Sequence, residues 1–271
     1  MPFTASRGCR IHYRALGEGP AVVLVQGLGL SSRFWFDVPE SLATDPTRKR
    51  RVLAVDNRGT GLSDRPRGVW SMATMADDLA AVLDDAGEKD AIVVGISMGG
   101  MIAQHFALRH PTRARGLVLF ATTPGFLFGA LPKAAALMRL LSLPLGGRRA
   151  SRNLARLLLP KSKWPRAREI FRDWPSAMQE EGPRPGTFAA HLFAASTHLS
   201  GHRLARVTCP TIVVAGAEDT LIPLRNAQAI AKRIPGAELE IIDDAGHAVF
   251  ADDRDLVRRM VERVELRIRT R

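Results

Sequence analysis

Cysteine is scarce in this sequence: only Cys9 and Cys209 occur among 271 residues, and they stand far apart. Two isolated cysteines match neither the spacing of a zinc site nor the dense framework of a disulfide-rich secreted domain. The sequence also lacks an apolar run of the roughly 18 residues that a membrane-spanning helix needs. Residues 1–7 lack the apolar stretch of a secretory signal peptide. We therefore expect a cytoplasmic protein with no integral membrane segment.

Acidic residues are outnumbered, since 39 Lys and Arg against 27 Asp and Glu give a formal net charge of +12. Such an excess can indicate a nucleic-acid or anionic-membrane partner. Much of it lies in residues 124–200, which hold 12 basic and 4 acidic residues. No zinc finger, basic zipper or RNA-binding motif accompanies it, so we expect no nucleic-acid partner. Two explanations stay open: a solubilising helical surface, or attraction of an acidic substrate, a membrane surface or an acidic partner.

The balance of 46% hydrophobic and 24% charged residues is that of an ordinary globular protein. Continuous apolar runs predict strands that are buried on both faces of a sheet. They are Ala21–Val25, Arg51–Val55, Ala91–Ile96, Gly116–Phe120, Thr211–Ala215 and, more weakly, Glu238–Ile242. Helical patterns such as 72–86 and 98–109 lie between them, so we predict an α/β fold with a mostly parallel central sheet flanked by helices. Alternation at 10–14 and a turn at 17–20 predict an antiparallel hairpin at the N-terminal edge.

The strand pattern is interrupted between residues 124 and 205. This stretch contains no strand-like run and predicts helices divided by proline and glycine, at 131–142, 149–159, 166–171 and 185–197. An all-helical insertion in a parallel α/β pattern indicates a cap, or lid, over the carboxyl edge of the sheet. Residues 1–123 and 206–271 would then form the core domain, and residues 124–205 the cap.

The most informative motif is Gly95-Ile96-Ser97-Met98-Gly99, which follows a predicted buried strand and opens a predicted helix. A serine hydroxyl is a weak nucleophile and must project from the backbone to meet a base. A sharp strand-to-helix turn exposes it, and glycines on both sides relieve the crowding there. The helix N-terminus also favours the negative charge that develops during reaction. Ser97 is therefore the candidate nucleophile.

In this setting the motif resembles the nucleophile elbow of the α/β-hydrolase superfamily, and other segments outside the cap share the likeness. Residues 216–223 (GAEDTLIP) are similar to the family's acid-bearing loop, and residues 244–247 (DAGH) to its histidine loop. Residues 56–63 (DNRGTGLS) are similar to its Asp-x-Arg-Gly-x-Gly-x-Ser turn. The resemblance implies an α/β-hydrolase fold and a catalytic triad in the family's chain order: Ser97, Asp219 and His247.

The resemblance also implies a role for each member of this triad. His247 would act as general base for Ser97, and Asp219 would orient the imidazole and stabilise its positive charge. Glu218 is adjacent, but the motif favours Asp219. Relatives can carry the acid after an earlier strand, where this sequence has Ala-Thr-Thr at 121–123. That composition leaves Asp219 as the better candidate.

Two backbone N–H groups, those of Leu28 and Met98, are implied as donors to the oxyanion of an acyl transfer. Leu28 lies in the segment Gln26-Gly27-Leu28-Gly29, just after the first apolar run. Relatives usually carry His-Gly where this sequence has Gln26-Gly27. The family's histidine is expected to brace the loop, and a glutamine can also form hydrogen bonds. We expect the donors to remain, while the shape of the loop stays open.

His105 and His110 are expected to pack or to cap a helix rather than to react. His191, His198 and His202 lie near the end of the cap. No cysteine or carboxylate at suitable spacing accompanies them, so we expect no metal and no cofactor.

Together the motifs predict an enzyme, a serine hydrolase that cleaves a carboxylic ester or related acyl bond of a small, apolar substrate. Aromatic side chains near the carboxyl edge are candidates for its pocket, although packing of cap on core explains them equally well: Trp35, Phe126 and Phe128. A lactonase, a C–C bond hydrolase and an acyltransferase would use the same triad and stay open. So does a ligand-binding receptor or scaffold built on a hydrolase shell. The oligomeric state is not predicted.

Overall fold

The computed structural model describes residues 2–143, 147–182 and 184–270. Within them, eight strands form one sheet in the order β1-β2-β4-β3-β5-β6-β7-β8. The strands are β1 Phe3–Ser6, β2 Cys9–Leu16, β3 Ala21–Val25, β4 Arg51–Val55, β5 Ala91–Ile96, β6 Ala114–Phe120, β7 Thr211–Gly216 and β8 Glu238–Ile242. Antiparallel pairing joins β1 to β2 and β2 to β4, and the remaining pairs are parallel. The predicted mostly parallel α/β sheet is confirmed.

The described residues also form α-helices. They are α1 Val38–Ala43, α2 Met72–Asp85, α3 Met98–Arg109, α4 Ala134–Ser142, α5 Gly147–Leu158, α6 Ala167–Ile170, α7 Trp174–Glu181, α8 Pro185–Ser196, α9 Arg225–Arg233 and α10 Asp255–Arg269. One face packs against α2, α3 and α9, and the other against α1 and α10. Because both faces are covered, β3, β5 and β7 are buried along their whole length.

The N-terminal hairpin differs from the prediction in its turn and its partner. β1 and β2 are joined at Arg7 and Gly8, which have φ of 50° and 72°. Residues 17–20 instead connect β2 to β3. β2 pairs with β4, because β3 already has a parallel partner on each side and offers no free edge. The prediction that 17–20 closes the hairpin was wrong.

All described helices from α4 to α8 lie between β6 and β7, and we call residues 124–205 the helical insertion. The helix predicted at 131–142 begins at Ala134, because a residue before proline, here Leu131, is biased away from helical backbone. The helix predicted at 166–171 is α6, Ala167–Ile170, and a 3-10 turn, Lys161–Arg166, precedes it. Helix α7 was not predicted. The predicted cap and core include residues 1, 144–146, 183 and 271, which lie outside the described residues. In the described chain, every helix is too short or too polar to cross a bilayer.

Candidate active site

The carboxyl ends of three parallel strands lead to the predicted triad. Ser97 directly follows β5, Asp219 lies in the loop after β7, and His247 lies in the loop after β8. These strands belong to the parallel run β5-β6-β7-β8. Parallel strands end at a common edge, where ligands bind in α/β proteins. The topology therefore brings all three residues to one edge of the sheet.

Ser97 occupies a strained turn between β5 and α3. Its φ is 55° and its ψ is −118°, a backbone conformation that residues with a Cβ seldom adopt. Two glycines permit the close approach of the flanking backbone. A Cβ on Gly95 would lie 2.3 Å from the carbonyl oxygen of Gly99, and a Cβ on Gly99 would lie 2.1 Å from that of Val25. A side chain at either position would displace the turn that exposes Ser97.

The peptide groups of Ser97 are held by the neighbouring strand β6. Its N–H donates to the carbonyl of Phe120 at 2.9 Å, and the hydroxyl of Thr122 donates to the carbonyl of Ser97 at 2.8 Å. Sequence reasoning considered Thr122 only as a position without an acid and missed this contact. A hydroxyl residue directly after a strand that neighbours the nucleophile strand is the signal that could have indicated it.

His247 and Asp219 form a buried pair. His247 Nδ1 lies 2.8 Å from Asp219 Oδ2, and the two side chains are 6% and 0% exposed. The other carboxylate oxygen accepts the N–H groups of Leu221 and Ile222 at 2.8 and 2.9 Å. An ionised carboxylate can only accept, so Nδ1 carries the hydrogen and Nε2 is left as an acceptor, the tautomer that a general base needs. Within the described ranges, Ser97 Oγ itself forms no hydrogen bond.

Residues 26–30 form a tight turn against Ser97. Leu30 N–H donates to the carbonyl of Gly27 at 3.3 Å, and Gly29 has a φ of 74°, a conformation that suits glycine. Gln26 Oε1 accepts the N–H of Gly27 at 3.0 Å. A Cβ on Gly27 would lie only 3.4 Å from the Cβ of Ser97. Gln26 thus braces the loop through its own side chain.

The two predicted oxyanion donors belong to elements on either side of Ser97. Met98 is the first residue of α3, and N–H groups in the first turn of a helix have no acceptor within it. Leu28 is a central residue of the turn that touches Ser97. The placement of both N–H groups suits the predicted role, which remains a prediction.

The segment 56–63 holds this loop in place. Asp56 Oδ1 accepts the N–H of Ser32, just beyond the turn, at 2.7 Å. Its Oδ2 lies 2.7 Å from Nδ1 of buried His12. Arg58 forms a buried, two-pronged ion pair with Asp78 at 2.6 and 2.8 Å. The side chains of Asp56 and Arg58 therefore bind other residues of the core.

The helical insertion reaches this edge at two places. At the histidine loop, the N–H of Ala248 donates to the carbonyl of Leu158 at 3.0 Å, at the end of α5. At the turn beside Ser97, the N–H of Gly29 donates to Nδ1 of His191, on α8, at 3.0 Å. The histidine loop and the turn beside Ser97 are therefore both bonded to the insertion.

The three aromatic residues predicted for the pocket lie in different environments. Trp35 is fully buried and stacks on Phe250 with ring centroids 5.1 Å apart. Phe126 is 56% exposed. Phe128 lies between the guanidinium of Arg233 and the ring of His202. Their assignment to a substrate pocket stays a prediction.

Besides His12, three histidines outside the predicted triad are buried: His105, His191 and His198. Desolvation lowers the pKa of His105 to about 3 and those of His191 and His198 to about 4. All three rings are therefore neutral at neutral pH. Among the described residues, no group of three or more His, Cys, Asp or Glu side chains is arranged to hold a metal ion.

Comparison with known proteins identifies the family. Residues 20–253 match the model of the α/β hydrolase fold family, and the chain belongs to that family. It is 33% identical to a pimeloyl-[acyl-carrier protein] methyl ester esterase of Chromobacterium violaceum, over 92% of this chain and 96% of that protein. It is 32% identical to a 2-hydroxymuconate semialdehyde hydrolase of Pseudomonas putida, over 94% and 90%.

A solved structure supports the same assignment. Est816, described as an N-acyl homoserine lactone degrading enzyme, matches with a TM-score of 0.80 and 28% identity, over 96% of this chain and 99% of that one. The family and these relatives identify the protein as an enzyme with hydrolase activity.

Proposed function

We propose that the protein is a serine hydrolase that cleaves a carboxylic ester or related acyl bond through Ser97, His247 and Asp219. The observation that carries this proposal is the buried 2.8 Å contact between His247 Nδ1 and Asp219 Oδ2, at the edge where Ser97 leaves β5 in a strained turn. The relationship to a methyl ester esterase supports the same bond type.

The proposed reaction has two stages. Ser97 Oγ attacks the acyl carbon while His247 Nε2 takes the hydroxyl proton, and the N–H groups of Leu28 and Met98 donate to the oxyanion. His247 then protonates the departing alcohol and leaves an acyl-enzyme. In the second stage, water gives its proton to His247 and attacks the acyl carbon. The bond from the acyl carbon to Ser97 Oγ then breaks, His247 returns the proton to Oγ, and the acid leaves. Asp219 stays ionised throughout and stabilises the imidazolium.

We also propose that the helical insertion is the cap of this site and that the substrate is small and apolar. Support comes from its first residues, which expose the side chains of Phe126, Leu127 and Leu131. The N–H of Lys133 donates to the carbonyl of Thr220 at 3.0 Å, next to Asp219. This part of the insertion therefore runs beside the acid loop with apolar side chains exposed. We further propose a cytoplasmic setting, and the burial of both Cys9 and Cys209 is compatible with it.

The test is hydrolysis of p-nitrophenyl esters of increasing acyl length by the wild type and by Ser97→Ala. We expect the variant to lose at least about a thousandfold in kcat, because the nucleophile is gone. Ser196→Ala, an exposed serine of α8, is the matched control and should keep full activity. Equal turnover by Ser97→Ala and the wild type would refute the proposal.

A lactone is the second candidate substrate, favoured by the likeness to Est816 at 28% identity. The same triad would open the ring, with the departing alcohol remaining part of the product. An N-acyl homoserine lactone added to the ester series decides between the two classes. A kcat/KM for the lactone that is tenfold or more above that of every ester would replace the ester by the lactone.

A further inference from the structure

Helix α8 carries two polar side chains, Thr187 and His191, one turn apart and 4% and 0% exposed. The hydroxyl of Thr187 donates to the carbonyl of Gly59 at 2.9 Å. The ring of His191 lies between two loops of the core, with Nδ1 3.0 Å from the nitrogen of Gly29 and Nε2 2.9 Å from the carbonyl oxygen of Arg58. One side chain of the insertion thus joins two core loops at the catalytic edge.

The partners of His191 determine its protonation state. A backbone N–H can only donate and a carbonyl can only accept, so Nδ1 is bare and Nε2 carries the hydrogen. An imidazolium would direct a second N–H at the N–H of Gly29. Complete burial also disfavours the charged form, and it lowers the pKa of His191 to about 4. The indole of Trp70 packs edge-on against the ring, with centroids 5.4 Å apart.

This contact bears directly on Leu28. The N–H groups on its two sides both have acceptors: Gly27 donates to Gln26 Oε1 at 3.0 Å, and Gly29 donates to His191 Nδ1 at 3.0 Å. Fixing these two peptide planes restrains the Gly27–Leu28 peptide between them, which carries the Leu28 N–H and whose carbonyl accepts the N–H of Leu30 at 3.3 Å. The direction of the Leu28 N–H therefore depends on bonds within the core and on one acceptor from the insertion.

We propose that His191 is a positioning residue of the oxyanion hole: its neutral ring holds the Gly29 peptide and thereby aims the Leu28 N–H at the acyl oxygen. This inference rests on the proposed function. It makes the helical insertion a structural part of the reacting centre as well as a cover over it. The sequence signal is the polar pair Thr187 and His191, spaced i and i+4 on a helix whose only other polar side chain is that of its last residue, Ser196.

Two amide variants of His191 test this role. Asparagine keeps an acceptor near the position of Nδ1, whereas glutamine places its amide near Nε2 and keeps only the bond to Arg58. We expect His191→Gln to lower kcat for esters by about tenfold to a hundredfold, and His191→Asn to recover most of that loss. KM should stay within about twofold in both, because ground-state binding does not need the oxyanion donor. Equal losses of kcat in both variants would overturn the proposal.

A second measurement does not depend on turnover. Long-range ¹H–¹⁵N spectra of the wild type should show His191 as the neutral Nε2–H tautomer from pH 8 to 5, with a slowly exchanging Gly29 amide. An Nδ1–H or doubly protonated ring at neutral pH would overturn the proposal even if the variants were slow.

The two proposals of function and positioning fail in distinguishable ways. Loss of activity in Ser97→Ala together with normal kcat in both His191 variants would refute only the positioning role. Full activity in Ser97→Ala would refute the proposed function itself, and the inference about His191 would fall with it.

Discussion

Basic side chains in the core and in the helical insertion differ in their partners. In the core, Arg50 is fully buried and meets Asp45 and Glu265 at 2.8 Å each. Residues 124–168 of the insertion, by contrast, hold ten Lys and Arg and no Asp or Glu. Six of these ten form no ion pair with any described residue: Lys133, Arg139, Arg152, Arg156, Lys161 and Arg168.

The difference separates two uses of positive charge. A buried arginine with carboxylate partners belongs to the folded structure, because removing it leaves those carboxylates uncompensated. An exposed, unpaired arginine contributes little to stability but adds to the electrostatic field around the molecule. We therefore expect changes in the core to affect unfolding and changes in the insertion to affect encounters with charged molecules.

Replacing Arg50 should have the largest effect. Arg50→Met keeps much of the side-chain volume but leaves the carboxylates of Asp45 and Glu265 without their cationic partner. It should therefore lower the free energy of unfolding by about 3–5 kcal/mol. Urea denaturation measures this loss. Arg152→Met in the insertion is the control and should stay within about 0.5 kcal/mol of the wild type. Similar losses of unfolding free energy in Arg50→Met and Arg152→Met would contradict the proposed difference between paired arginines of the core and unpaired arginines of the insertion.

Lowering the pH should weaken the ion pair between Asp45 and Arg50 in the core and thereby lower the free energy of unfolding. Hydrogen bonds from Thr47 and then Arg50 hold the pKa of Asp45 below its usual range. A carboxyl group with a lowered pKa in the folded state increases the free energy of unfolding at pH values above its unfolded-state pKa, about 4. This contribution is lost as the pH falls from there toward the folded-state pKa. Between pH 4 and 2, the unfolding free energy of Asp45→Asn should therefore fall less steeply than that of the wild type, by up to about 1.4 kcal/mol per pH unit. Identical slopes would show that this pair does not contribute.

The smallest effect is expected from salt, which should screen the unpaired charges of the insertion and so lower kcat/KM for acidic substrates. If the unpaired charges attract acidic substrates, kcat/KM for a carboxylated ester should fall about threefold to tenfold from low to high ionic strength. A neutral ester of equal length should change by less than about twofold. Arg139→Gln combined with Arg152→Gln should flatten the salt response. A flat response in the wild type would favour the solubilising explanation.

Local composition predicted the elements around Ser97 well. β3, β5 and α3 begin and end where the apolar runs and the Gly-x-Ser-x-Gly motif place them. A strand with neighbours on both sides and helices on both faces must be apolar throughout, and the turn at Ser97 fixes one end of β5 and one of α3. The positions of Asp219 and His247 at the same edge follow from the parallel topology.

Contacts between distant segments were not predictable in this way. β2 pairs with β4 because of the order in which the sheet is assembled, and no local pattern records that order. His191 contacts a loop 162 residues earlier in the chain, and the sequence of α8 reveals only that a polar pair must have partners. Gln26 was recognised as a departure from the family, but that its side chain accepts the N–H of its neighbour Gly27 required coordinates.

The bond between His191 and Gly29 also bears on how enzymes of this architecture diverge. An insertion between two strands looks like an exchangeable module, which relatives could swap to acquire new substrates. Here the module supplies an acceptor that a core peptide requires, so exchange is constrained at one position even where its walls are free to vary. A protein in which this segment is remodelled must either retain such an acceptor or gain a replacement within the core. The insertion and the loop at residues 26–30 are therefore expected to evolve together.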